Sequence, residues 1–298
     1  MIRKIDVAVI GHFSLDENIS PKGTVINVLG GAPVYSATTF SKLGLNVGVC
    51  AGIGEDQHSN ALQYCKTNHI NYEGLTVYGS KTLHFKNIYD ANEARIQICH
   101  NVPRKLKPQD LPSSYFQCVA HYLSPLVDEL ELEFIDFLRR MNSVLMLDPQ
   151  GLMRTINSEG KVTINFDKEK LEKFFQKVDI VKIGKDEISA FGLTELEIIS
   201  FVKSCGVKIV ILTRGKDSVI ASFDSSVIEV DTIDVDVQDP TGAGDVFGAA
   251  FLAQYLKTSD LIESIRFANI VAGLKIRSKG PKGFPELDEI IAYKNRKF

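Results

Sequence analysis

The sequence predicts an α/β fold with a mainly parallel central sheet. Three observations carry that expectation. Short apolar runs of strand length recur from residue 5 to residue 215. Amphipathic stretches of helical length lie between them, as parallel strands require: each crossover places a helix on a face of the sheet. No internal repeat, low-complexity tract or long linker divides the chain, so one domain over residues 1–298 is expected.

The elements follow in order. IDVAVIG (5–11) reads as a buried first strand, and APVYSATTFSKLG (32–44) as a helix ending at Gly44. VGVCAGIG (47–54) is a second strand and QHSNALQYCKTNHI (57–70) a second helix. FQCVAHYLS (116–124), VLMLDP (144–149), VDIVKIG (178–184) and KIVILTRG (208–215) continue the strand series. LVDELELEFIDFLRRM (126–141) reads as a helix between the first two of these. Ligands of such sheets gather beyond the carboxyl ends of the strands. Asp148 and Thr213 to Gly215 fall there.

Two stretches break the alternation. SLDENISPKGTVINVLGG (14–31) and KTLHFKNIYDANEARIQICHN (81–101) read as short β segments, the second as a hairpin around DANE. Together they predict a small β layer at one edge of the sheet, from two insertions at about 12–31 and 80–101.

Composition narrows the function. A formal net charge of −3 gives no basic field for nucleic acid or an anionic membrane. The apolar runs are too short to span a bilayer, and no leader-like segment opens the chain, so a cytoplasmic protein is expected. Five scattered cysteines and six histidines form no C-x-x-C, no H-x-x-x-H and no mixed cluster, which disfavours disulfides and zinc.

Two familiar phosphate devices are absent. RGKDS (214–218) lacks the upstream glycine of a P-loop, and GIGEDQ (52–57) and GAGDVF (242–247) lack the last glycine of G-x-G-x-x-G. DPTGAGDVFG (239–248) remains, between an alternating, strand-like run and an apolar helix. Its glycines let backbone approach a ligand. The amides of Gly242, Ala243, Gly244 and Asp245 would open a helix, where anions bind. Asp245 is then either an acid suited to a helix N-terminus or a base for an attacking hydroxyl.

At this point the sequence resembles the ribokinase (PfkB) family of carbohydrate kinases. DPTGAGDVFGAAF (239–251) is similar to its second signature and GGAPVYSATTFSKLG (30–44) to its first. The resemblance covers nearly the whole chain. It implies a three-layer α/β/α sandwich, the small β layer acting as a lid over the substrate. It implies ATP-dependent transfer of a γ-phosphoryl group, with Mg²⁺ and a monovalent cation such as K⁺ as cofactors. Asp245 matches the catalytic base, and Gly242, Ala243 and Gly244 the anion hole. Asp16, Gly30 and Gly31 match substrate contacts. Thr213 and Gly215 match a T-x-G that meets donor phosphates, and Asn269 a residue near the adenine. Glu187 matches an acid that organises Mg²⁺ through water, and Asp239 with the segment around Gly280 matches the cation loop. The expected partners are a sugar or polyol and ATP, with a lid-to-lid homodimer that Cys99 could join.

The chain departs from the pattern at three places. Tyr35 stands where many members carry asparagine, Gly184 where N-x-x-E would begin, and Ser218 at the last glycine of T-x-G-x-x-G. DPQGLMR (148–154), YDANEARIQ (89–97) and KIGKDE (182–187) are similar to the myo-inositol kinase branch. A cyclic polyol is therefore the favoured acceptor, with Tyr35, Arg95 and Arg154 as further candidate contacts. Ribose-type sugars, nucleosides and sugar acids are the alternatives. A non-catalytic nucleotide- or sugar-binding protein is a further reading, and a redox protein on a doubly wound fold is a third, disfavoured by the missing G-x-G-x-x-G.

Overall fold

The computed structural model describes residues 4–20, 23–89 and 95–297. The chain opens with β1 (Val7–Ile10), β2 (Ser14–Ser20), β3 (Gly23–Gly30) and α1 (Ala32–Lys42). It continues through β4 (Val47–Gly54), α2 (His58–Thr67), β5 (Asn71–Gly79), β6 (Leu83–Tyr89), β7 (Arg95–His100) and β8 (Ala120–Leu123). Then come α3 (Leu132–Arg139), β9 (Val144–Leu147), α4 (Gln150–Met153), β10 (Arg154–Ile156), β11 (Val162–Ile164), α5 (Lys168–Phe175) and β12 (Ile180–Ile183). The last part holds α6 (Lys185–Phe191), α7 (Glu195–Ser204), β13 (Ile209–Leu212), β14 (Val219–Phe223), β15 (Ser226–Val230), α8 (Ala243–Thr258), α9 (Leu261–Lys275) and α10 (Leu287–Lys297).

Among the described residues nine strands form the main sheet, in the order β15-β14-β13-β12-β9-β8-β1-β4-β5. Every pairing is parallel up to β13; β14 and β15 close that edge as antiparallel strands. Alternate residues of β1 feed two cores. Val7 and Val9 pack with α1, α8 and α9, while Ala8 and Ile10 pack with α3, α5 and α7. Both faces are covered, which is the expected three-layer sandwich. β1 pairs with β4 on one side and β8 on the other, so the strand order reverses there. A crevice beyond the carboxyl ends of β1 and β8 is where such sheets bind ligands.

A second sheet, β3-β2-β6-β7, is built from the two irregular stretches. Leu83, Phe85 and Cys99 on its inner side pack on Leu126 and Val127. The DANE turn lies outside the described residues.

Three expectations change. Residues 126–131 are not helical: α3 starts only at Leu132. The buried Glu129 carboxylate accepts the amides of His12, Leu126 and Val127, and Asp128 takes a left-handed φ of 47°, so this stretch caps a neighbouring loop. The strand expected over 116–124 is confined to Ala120–Leu123, because Phe116 closes a tight turn with Ser113. The alternating run before residue 239 has no strand partner among the described residues; it lies on α9, where Ile233 covers Gly273. Its alternation comes from a helix surface under one side.

Candidate active site

Gly242 caps α8 in the left-handed region, at φ 75°, and a β-carbon there would lie 2.2 Å from Tyr35 Cδ1. Only glycine meets both conditions. The amides of Gly242, Gly244 and Asp245 make no intramolecular hydrogen bond among the described residues. Ala243 differs from expectation: its N–H donates to Pro240 O at 3.1 Å and closes the turn. Three amides rather than four are open at the start of a 16-residue helix, which still suits an anion.

Asp245 sits in that first turn, buried, with Ser124 Oγ donating to Oδ1 at 2.7 Å. Ser124 follows β8, 121 residues earlier, so the reversal in strand order seats the acid. Gln150 Nε2 donates to Ser124 Oγ at 3.2 Å, and Arg154 Nη2 donates to Gln150 Oε1 at 3.0 Å. Burial raises the Asp245 pKa above the usual carboxylate value, and Asp148 adds to the effect; Lys182, Ser124 and Arg154 oppose it. A raised pKa makes a better proton acceptor.

Lys182 forms a buried ion pair with Asp148 at 2.5 Å. Its ammonium also abuts the glycine turn: a β-carbon at Gly244 would lie 2.9 Å from Lys182 Nζ. Burial alone would pull this lysine down, but Asp148, Asp245 and Glu187 outweigh it and hold its pKa above the usual value. Glu187 curls back to the end of β12, with its Oε2 2.7 Å from where a β-carbon of Gly184 would stand. A side chain at 184 would make the Glu187 carboxylate shift, so its present position goes with the glycine that departs from N-x-x-E. Burial, with Asp148 second, raises the Glu187 pKa. Among the described residues no three His, Cys, Asp or Glu side chains converge on a metal position. Glu187 and Asp148 are the hard oxygen donors Mg²⁺ prefers, and they fit an ion carried mainly by donor phosphates and water.

On the side of the small sheet the buried Asp16 carboxylate lies against Gly30: a β-carbon there would meet Oδ2 at 2.2 Å. Gly31, at φ 86°, is pressed against His12 O. Tyr35 is buried in α1 and lays its ring on Gly242, so it walls the glycine turn. Burial, then Asp16, Asp239 and Asp245, raise its pKa, which places the phenol among those acids as a neutral group. Arg154 donates to Leu126 O at 3.1 Å and lies over the Phe85 ring at 5.8 Å, buried under the small sheet. Arg95 opens β7, paired with Tyr89, and its side chain lies outside the described part. Cys99 is buried against Leu83, Phe85 and Leu126, so it is not free to join a contact between subunits.

On the other side Thr213 and Gly215 follow β13, and Thr213 Oγ1 donates to Ile183 O at 3.4 Å. Gly215, at φ 72°, approaches the side chain of Lys185. The Asn269 amide does not face an open space: Nδ2 donates to Asp231 O at 2.9 Å and pins the 231–238 run to α9. Asp239 staples its own loop. Oδ1 accepts Thr241 N at 2.9 Å, and Oδ2 accepts Gly280 N at 2.8 Å. Beside it Lys275, fully buried, donates to Thr241 O at 2.8 Å, with Nζ 5.0 Å from the Tyr35 ring centre.

Ser124, Lys182 and Lys275 thus join the site without having been singled out in the sequence, and Asp148, marked there only by its place past a strand end, gains Lys182 as its partner. A lone lysine inside an apolar strand, as in IVKI, is the one local signal that could have marked Lys182.

The description of the pfkB family carbohydrate kinases matches residues 4–287. The chain belongs to that family. Like other pfkB members, it is a phosphotransferase that uses an alcohol group as acceptor. It is 26% identical to a cytidine kinase of Thermococcus kodakarensis over 281 residues, 88% of this chain and 92% of that protein. A sulfate complex of a pyrophosphate-dependent kinase in the ribokinase family superposes with a TM-score of 0.81 at 27% identity, covering 92% and 96% of the two chains. A complex of such a kinase with a pyrophosphate analogue and myo-inositol gives 0.82 at 25%, over 96% and 99%. Among the described residues of this pfkB kinase no helix is long and apolar enough to cross a membrane.

Proposed function

We propose that this kinase transfers a phosphoryl group from a phosphoanhydride donor, ATP in the first reading, to a hydroxyl of a cyclic polyol, with myo-inositol favoured. The observation that carries the chemistry is Asp245, buried, raised in pKa and aimed by Ser124 beside three open amides. The acceptor hydroxyl gives its proton to Asp245 as its oxygen attacks phosphorus. The amides of Gly242, Gly244 and Asp245 take the charge of the moving group, and Lys182 screens that charge from Asp148 and Glu187. Mg²⁺, when bound, neutralises donor phosphate charge near Glu187 and Asp148. The small sheet is read as a lid: β6 and β7 shield the acceptor and keep water from the donor.

The acceptor reading rests on what lines that space. Asp16 accepts from two neighbouring hydroxyls, and the Tyr35 ring gives one flat wall where an amide would give two polar partners. Arg154 is held under the lid, and the structural neighbour with myo-inositol bound covers nearly this whole chain.

A second donor reading has its own support. The Asn269 amide is committed to Asp231 O, and Lys185 stands beside Gly215, so phosphate contacts are clearer here than a base contact. Pyrophosphate, the donor named for the two structural neighbours described above, fits that arrangement. Both readings are tested by a matrix of ATP and pyrophosphate against inositols, pentoses, hexoses, nucleosides and sugar acids. Product release with an inositol above all other acceptors is expected; a nucleoside or pentose preference overturns the acceptor reading. Turnover with pyrophosphate alone overturns ATP as donor.

A further inference from the structure

The resemblance implies a monovalent cation in the loop of Asp239 and Gly280. The residues there do not fit one. A free cation would meet one already in place: Lys275 Nζ donates to the Thr241 carbonyl at 2.8 Å, while each Asp239 oxygen accepts a backbone amide. Lys275 comes from the last turn of α9, is wholly buried, and has the Tyr35 ring on its other side. An ammonium is comparable in size to a potassium ion and offers its charge to the same carbonyl and aromatic acceptors.

We propose that Lys275 is a tethered cation that does the work of a free monovalent ion, making this kinase independent of K⁺. The geometry gives it a direct line to the anion hole. Thr241 C=O and Gly242 N–H belong to one peptide group. An ammonium at the carbonyl draws electron density across that peptide and makes Gly242 N–H a stronger donor, as linked hydrogen bonds do. The same contact fixes the peptide plane, so the amide faces the transferring phosphoryl before it arrives. Lys275 is therefore a positioning residue acting through Gly242. The Asp239 staple completes the design: with its carboxylate bound to Thr241 N and Gly280 N, the loop keeps its shape without an ion to gather it.

This inference rests on the phosphoryl-transfer reading for its kinetic arm and on no substrate for its thermal arm. Turnover and melting are measured in tetramethylammonium buffer with and without added KCl, at constant ionic strength, for the wild type and Lys275→Met. The wild type is expected to change less than ~2-fold in rate and to show no K⁺-specific melting shift. Lys275→Met is expected to lose ~10-fold or more in kcat without K⁺, to regain part of it with K⁺, and to melt higher in K⁺, because an ion that binds only the folded chain stabilises it. Several-fold activation of the wild type by K⁺ overturns the proposal, and so does a Lys275→Met variant that is fully active without K⁺. If Lys275→Met does not fold, the wild-type titration decides. If no acceptor turns over at all, the melting comparison stands by itself.

Discussion

Two buried lysines flank the glycine turn, one on each side. Lys182 rises from β12 under Gly244 and faces three carboxylates; Lys275 rises from α9 under Thr241 and faces one. Burial pulls both down. Asp148 and its neighbours reverse that for Lys182. Asp239, with both oxygens already on amides, does not reverse it for Lys275, whose pKa is lowered to about 8. One lysine is thus a permanent charge among acids, and the other a charge near the edge of its range. The lesson is that burial does not fix a lysine's state; the number of uncommitted carboxylates around it does.

Four measurements break or sharpen that contrast. The largest effect belongs to the acid between the two lysines. Asp245→Asn is expected to cut kcat by ~10²–10⁴-fold, the range for a general base, with donor and acceptor affinities little changed. Near-normal turnover removes Asp245 as base and leaves both lysines without a reaction to serve.

Lys182→Met comes next, at ~10²–10³-fold in kcat/KM, the scale of a lost electrostatic partner of the transition state. A merely structural lysine would give a loss without a pH signature. Here the acidic limb of kcat/KM should move to higher pH, because Lys182 lowers the Asp245 pKa. No movement of that limb would reduce Lys182 to a partner of Asp148.

The Lys275 effect is smaller and sits at the other end of the pH scale. Its ammonium is present below about 8 and lost above it, so kcat/KM of the wild type should fall as pH rises through that value. The groups facing it are Asp239 and Tyr35. Stability should move the opposite way. A lysine whose folded pKa lies below its unfolded one sheds its proton more easily when folded, so folding gains from about pH 8 up towards the ordinary lysine value. A basic limb that persists in Lys275→Met assigns it to another group.

The smallest effect is in melting temperature. The raised Asp245 pKa means the ionised acid is held at a cost to folding at neutral pH. Asp245→Asn should melt at or above the wild-type temperature, by a few degrees at most, since ~1 kcal/mol is worth roughly 2–4 °C in a chain of this size. A clear drop would mean that the carboxylate also holds the helix start together.

Much of this was legible in the sequence. β1, α1, β4, α2, β9, β12 and β13 follow from apolar period and turn residues, and the glycine turn is found from its own letters. What stayed hidden depends on pairs far apart in the chain. Nothing near Ser124 says that it meets Asp245, and Lys275 in GLKIRSKG passes for a basic residue at a helix end, where cations are common. Glu129 in ELELEF keeps a helical period while its carboxylate binds loop amides instead.

The placing of β1 has a consequence for how the chain is made. It is the first strand of the main sheet in sequence, yet it ends inside the sheet, between β4 and β8. During synthesis its β4 side can pair early, while its other edge waits for β8, whose first residue is Ala120. At ~5–20 residues per second that wait lasts on the order of several seconds. For that time a short, wholly apolar edge is open to any passing strand, a known route to aggregation. A ribosome pause between residues 54 and 120 would lengthen the exposure, so yield in the cell should depend on codon speed there more than anywhere later in the message.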